Sequence, residues 1–283
     1  MTHKPRQIVI DKDAFLGIGL DSLREFAKSH FLLLSGTLLY ECMTATRQVP
    51  QALLDRYEIL MKAGAYYCSM SRRFVEWECR HCEPYPWFLA DMDETDNVRT
   101  GRRWISGLLT PEITDRAHDR QCRVAEVMLL RQSKECMEKV GSDLAKEFKV
   151  FPTDVLSRFR KILDEMLFDI RDLAVTYYSC WIVDPVRFCP SHRWMTWHEI
   201  RLTKAVIVEY VYLRQIGGVP SERRAEHDYQ DMEYVLLLSR ADAIITRDKK
   251  LVGPLARAAF PEKDVFSSLE EMPDSYRCDW SEG

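Results

Sequence analysis

No hydrophobic run in this chain is long enough to cross a bilayer. The longest nearly uninterrupted apolar stretch, Phe31 to Tyr40, is broken by Ser35, Gly36 and Thr37. A membrane-spanning helix needs about 20 apolar residues, so no membrane partner is expected. A secretory leader pattern is also lacking: Met-Thr-His-Lys-Pro-Arg runs straight into a strand pattern, and a cytoplasmic protein is expected. Neither charge sign is in excess. With 40 Lys and Arg against 44 Asp and Glu, the net charge is −4. This argues against a uniformly basic nucleic-acid coat and leaves a local basic channel open. Glycine-rich phosphate loops are absent, since Gly17-Ile18-Gly19 has no third glycine. No nucleophile-elbow motif supports Ser-His-Asp chemistry. Nine cysteines, odd in number and scattered, do not describe a small disulfide scaffold.

What is there has ordinary globular composition, with 46% apolar residues over 283 positions. Residues 7–11 and 31–35 read as short buried strands, with helices expected over 21–30 and 37–46. The Val49-Pro50 step breaks the second helix. From Gln51 the spacing of Leu53, Leu54, Tyr57, Leu60, Met61 and Ala65 predicts a helix running to about Glu78. Thr110-Pro111 is a helix start, with the helix expected to reach Val140-Gly141. Pro152-Thr153 starts another, with Val155, Phe159, Ile162, Leu163, Met166 and Ile170 on one face. After loop-like residues 180–197, alternation returns: helices at 199–216, 228–239 and 252–259, strands at 242–246 and 264–266. Strands alternating with helices imply an α/β fold, a three-layer α/β/α with a central parallel sheet. It would be built from residues 1–50 and 199–283, with a long, mostly helical insertion over 51–198.

Four acidic residues stand where such a sheet would gather them. Asp11 ends Ile8-Val9-Ile10, Glu41 follows the second strand on a helix, Asp231 precedes Tyr234-Val235-Leu236-Leu237-Leu238, and Asp248 ends Ile244-Ile245-Thr246-Arg247. In open α/β sheets, ligands collect at the carboxyl ends of strands, at the switch point of strand order. Asp231 is expected in the first turn of its helix, where the macrodipole favours a carboxylate by a few tenths to about 1 kcal/mol. Clustered carboxylates raise one another's pKa unless a cation lies among them. Oxygen-only donors suit magnesium or manganese. The alternative is that these acids are helix caps and strand-end surface charges.

These segments together resemble the PIN-domain family of metal-dependent nucleases: a strand ending in Asp, a later Glu on a helix, an Asp opening a helix, and a final Thr-x-Asp after a strand. The matches are Ile8-Val9-Ile10-Asp11, Tyr40-Glu41, Asp231 and Thr246-Arg247-Asp248, over roughly residues 1–60 and 199–270. The resemblance implies phosphodiester hydrolysis assisted by Mg2+ or Mn2+, acting on single-stranded RNA or DNA, with RNA favoured by analogy. Asp11, Glu41, Asp231 and Asp248 would be the metal ligands, and Thr246 would orient a carboxylate or the attacking water. Where the family commonly follows its first Asp with Thr and then Asn or Ser, this chain has Lys12 and Asp13. Asp13 would replace that polar contact, and Asp228, one turn before Asp231, is the other reserve ligand. The competing reading is a catalytically inactive PIN-like module, with the helical insertion as a protein-binding surface. Lys12 favours that second reading and the complete acidic set favours the enzyme.

Other candidate chemistry is sparser. Cys79-Arg80-His81-Cys82 and Cys189-Pro190-Ser191-His192 each have zinc-knuckle spacing, and paired they would form a closed site from Cys79, Cys82, Cys189 and His192. Reduced buried thiols are the alternative. The acidic run over 91–96 lacks the glycine and closing Glu of a calcium loop. Arg247, Lys249 and Lys250, with Arg223, Arg224, Trp194 and Trp197, would form a strand-binding channel or else a solvated surface over core tryptophans.

Overall fold

The structure is a computed structural model, and it describes residues 5–44, 50–85, 126–148, 150–165, 169–218 and 220–278. Five parallel strands form one sheet in the order β3-β2-β1-β4-β5: β1 Gln7–Ile10, β2 Phe31–Ser35, β3 Tyr66–Cys68, β4 Ala243–Ile245 and β5 Asp264–Phe266. Every residue of β1, β2 and β4 is buried. Strands buried on both faces read as continuous Val, Ile and Leu runs and need helices covering both sides. The α/β expectation therefore stands, and the strand order reverses between β1 and β4.

The helices are α1 Lys12–Gly17, α2 Leu20–Ser29, α3 Gly36–Thr44, α4 Pro50–Lys62, α5 Ser71–His81, α6 Gln132–Phe148 with a π-turn before it, α7 Val155–Glu165, α8 Ile170–Tyr177, α9 Met195–Gln215, α10 Glu222–Leu237 and α11 Val252–Ala259. The longest, α9, is buried nearly all round from Met195 to Val211, as a helix enclosed by others must be. It packs against α5, α6, α7, α8 and α10. No side chain of its own caps it. The buried Glu78 carboxylate from α5 accepts from Met195 N at 3.0 Å, Thr196 N at 2.8 Å and Thr196 Oγ1 at 2.6 Å instead. A carboxylate there satisfies orphan amides and complements the helix dipole at once.

Three expectations are corrected. The helix expected over 51–78 is two helices with β3 between them, so the stretch expected to be helical supplies an edge strand. Gly64, at φ +111°, ends the α4 turn in a conformation that L side chains rarely adopt. Helix α6 passes through Gly141 to Phe148, carried by its packing on α9. Helix α10 begins at Glu222, not 228, because Ser221 caps it by accepting from Arg224 N at 3.2 Å. The acidic run over 91–96 and the Thr110-Pro111 helix start lie outside the described residues. Among the described residues, no helix is long and apolar enough to cross a membrane.

Candidate metal centre between β1 and β4

Asp11 leaves β1 where the ladder to β4 ends: its amide donates to Ile245 O at 3.1 Å. Its carboxylate caps α1, accepting from Ala14 N at 2.7 Å, and takes a second hydrogen bond from the Thr246 hydroxyl. With 2% exposure it is almost wholly withdrawn from water. Burial, opposed by those two hydrogen bonds and aided by the Asp13 and Asp248 charges, pushes its carboxyl up to about 7.

Thr246 and Asp248 come from the turn after β4. Thr246 Oγ1 accepts from Asp248 N at 3.1 Å, while Asp248 accepts from Lys250 N at 2.6 Å, Leu251 N at 3.0 Å and Val252 N at 2.9 Å. Its carboxylate thus folds the loop onto the start of α11. Gly253 permits this, since a Cβ there would meet Asp248 O at 2.7 Å.

Glu41, on α3, is 3% exposed and occupied on both oxygens. Lys12 Nζ donates to Oε1 at 3.1 Å, and the Tyr234 hydroxyl donates to Oε2 at 2.5 Å. One residue earlier on α10, Glu233 accepts from Thr37 Oγ1 at 2.5 Å, so α3 and α10 are held together at two points.

Asp231 lies beyond the second turn of α10 rather than in its first, so the helix dipole does not support it. Among the described residues, none donates it a hydrogen bond or pairs a cation with it. Burial raises its carboxyl well above the usual range, and the Glu41, Asp248, Asp228 and Asp11 charges raise it further. Asp228 belongs to the scaffold. It accepts from Tyr210 OH at 2.7 Å and Arg224 Nε at 3.3 Å, tying α10 to α9. Asp13 is exposed at the rim of α1.

The fold therefore brings Asp11, Glu41 and Asp248 within electrostatic reach of Asp231. As the side chains stand, no three His, Cys, Asp or Glu among the described residues close on a point able to hold a metal ion. The cause is visible in the partners: Lys12 and Tyr234 hold Glu41, and backbone amides hold Asp248. The donor set is all oxygen, and Asp231 is a half-buried carboxylate facing like charges with no donor among the described residues. All-oxygen donors are the kind that suits a hard divalent cation.

The comparisons with known proteins are empty: no family model, curated protein or solved structure matches the chain. Its site must be read from its own geometry.

Tyr234 and Tyr210 were not singled out in the sequence, although Tyr234 is three residues after Asp231 and so on the same helical face. Of the basic residues, Arg247 is exposed and donates from Nη1 to Gly17 O at 2.8 Å, while Lys249 and Lys250 are exposed beside it. Trp194 is buried edge-on to Phe188, a core position and not a channel wall. The zinc-knuckle residues stand apart in character. Cys79 and Cys82 are buried, burial first pushing the Cys79 thiol up to about 12, and Cys82 Sγ donates to Asp184 O at 3.3 Å. Cys189 and His192 are exposed.

The raised Asp11 carboxyl predicts a pH dependence. The folded chain holds this proton to about 7, whereas an ordinary Asp carboxyl loses it at about 3.9. The folded state thus binds more protons between those values, and its stability falls as pH rises from about 4 to about 7. At about 1.4 kcal/mol per pH unit the limit is a few kcal/mol. Burial also raises Glu199 to about 7, so the difference between wild type and Asp11→Asn isolates Asp11. Urea midpoints in chelator should separate the two proteins progressively across that window. A difference that stays constant from pH 4 to 8 would refute the assignment.

Proposed function

We propose that the chain is a PIN-like hydrolase that cleaves phosphodiester bonds of single-stranded nucleic acid, RNA in preference to DNA, with Mg2+ or Mn2+. The observation that carries this reading is Asp231, a half-buried carboxylate facing four like charges with no donor among the described residues. Carboxylates set that way raise each other's pKa and oppose folding unless a cation is to join them.

Asp11, Asp231 and Asp248 would hold the ion, with Glu41 behind them. Bound there, the ion would supply polarisation of the scissile phosphate and a lowered pKa for water. The chain's own residues do the rest. The Thr246 hydroxyl fixes the Asp11 carboxylate. Lys249, Lys250 and Arg247 at the rim would meet the phosphate backbone of the strand.

Purified protein should cut single-stranded RNA with Mg2+ or Mn2+ and stop when chelator is added. If neither RNA nor DNA is cut under any divalent ion, the hydrolase reading fails. One observation favours a binding module in that event: the Lys12 ammonium already neutralises Glu41.

A further inference from the structure

Lys12 stands where a helix least favours it. It is the first residue of α1, directly after the Asp11 cap, and cationic side chains at a helix N-terminus oppose the macrodipole. Helix stability therefore does not explain its place. Its ammonium reaches across the crevice to α3 and meets Glu41 Oε1 at 3.1 Å, with 21% of the Lys12 side chain and 3% of Glu41 exposed. The Tyr234 hydroxyl takes the other Glu41 oxygen. The acidic crevice is thus divided. Both oxygens of Glu41 have donors, whereas Asp231, which feels the Glu41 charge most and those of Asp248, Asp228 and Asp11 after it, has none among the described residues.

We propose that the Lys12 ammonium takes the place of a second cation, so that this centre binds one divalent ion, on the Asp231 side, and not two. The inference rests on the hydrolase reading. Two-metal phosphodiesterase sites hold their ions about 3.5–4 Å apart and share carboxylates between them. An ammonium in contact with Glu41 already puts a tethered positive charge on a carboxylate that two ions would share. Fully ionised, as ligands of an ion would be, the four acids carry −4. Lys12 and one divalent ion bring this to −1, whereas a second divalent ion beside the ammonium would bring it to +1, with two cations repelling at one carboxylate.

Lys12 then acts as a positioning residue that sets the number of ions. The test counts Mn2+ ions by calorimetric titration and by electron paramagnetic resonance of free Mn2+, on the full chain, for wild type, Lys12→Met, Lys12→Gln and Lys12→Arg. Circular dichroism in chelator checks that each variant is folded, and either uncharged variant suffices. One ion is expected on wild type and Lys12→Arg, and two on Lys12→Met or Lys12→Gln. Two ions on wild type overturn the inference without any variant. One ion on wild type and still one on a folded uncharged variant also overturns it, and leaves the hydrolase reading standing. No ion on any of the four overturns both.

Discussion

Asp231→Asn should abolish metal-dependent cleavage while leaving the fold as stable as before or more so. Partners one layer beyond a metal's own ligands cost about 10–100-fold when removed, so loss of a direct ligand should exceed about 100-fold. Stability should move the other way because the wild-type carboxylate has no donor among the described residues and faces Glu41, Asp248, Asp228 and Asp11. Neutralising it removes four repulsions and breaks no hydrogen bond. In chelator the thermal midpoint should hold or rise by about 2–4 °C, the equivalent of roughly 1 kcal/mol in a chain of this size. Added Mn2+ should stabilise wild type by mass action and leave Asp231→Asn unmoved.

The neighbouring carboxylates should not behave alike. Asp248→Asn should also lose activity, yet it should cost about 1–2 kcal/mol, since an amide cannot accept on both sides from the Lys250, Leu251 and Val252 amides. Asp228→Asn should spare most activity, because its partners are Tyr210 and Arg224. Cleavage by Asp231→Asn within a few-fold of wild type would end the assignment of this carboxylate to the ion. So would a loss of stability in chelator like that of Asp248→Asn.

The contrast among these acids shows what could be read before folding. The strands β1, β2 and β4 were legible because each is an uninterrupted run of Val, Ile or Leu ending in a polar residue, the pattern that burial on both faces demands. Asp11 and Asp248 followed from them, since a carboxylate at the end of such a strand reaches the crevice by the chain's own direction. The strand β3 was not legible. Its three residues, Tyr66 to Cys68, carry too little periodicity to stand out from the helical spacing on either side. The start of α10 was missed for another reason. Ser221 follows Pro220 in a polar stretch, and the acidic pair Asp228 and Asp231 imitates a helix opening. Their roles in fact diverge by what faces them: Tyr210 from α9 meets Asp228, and no donor meets Asp231. Lys12 was legible as a departure, but its partner was not, because Glu41 is 29 residues away.

Arg158→Ala should cost more stability than any substitution in the acidic crevice, about 3–5 kcal/mol, the range for breaking a buried ion pair from one side. Arg158 and Glu209 are 6% and 7% exposed, and two parallel bonds join them, Nε to Oε2 at 2.8 Å and Nη2 to Oε1 at 2.7 Å. The same guanidinium donates to the Pro152 and Thr153 carbonyls and lies 4.8 Å from the Tyr212 ring centroid. Its hydrogen bonds with Glu209 hold it charged, above its usual range. Lysine should not rescue it, having neither the fork nor the planar face. Replacing both partners, Arg158→Met with Glu209→Leu, should recover most of the loss, since the cost lies in the stranded carboxylate. The pair joins α7 to α9, and α9 carries Tyr210 to Asp228 on the helix that bears Asp231. Molecules that remain folded should still bind Mn2+, which would mark the inserted helices as support for α10. A urea midpoint for Arg158→Ala equal to wild type would show that this pair bears no net weight in the fold.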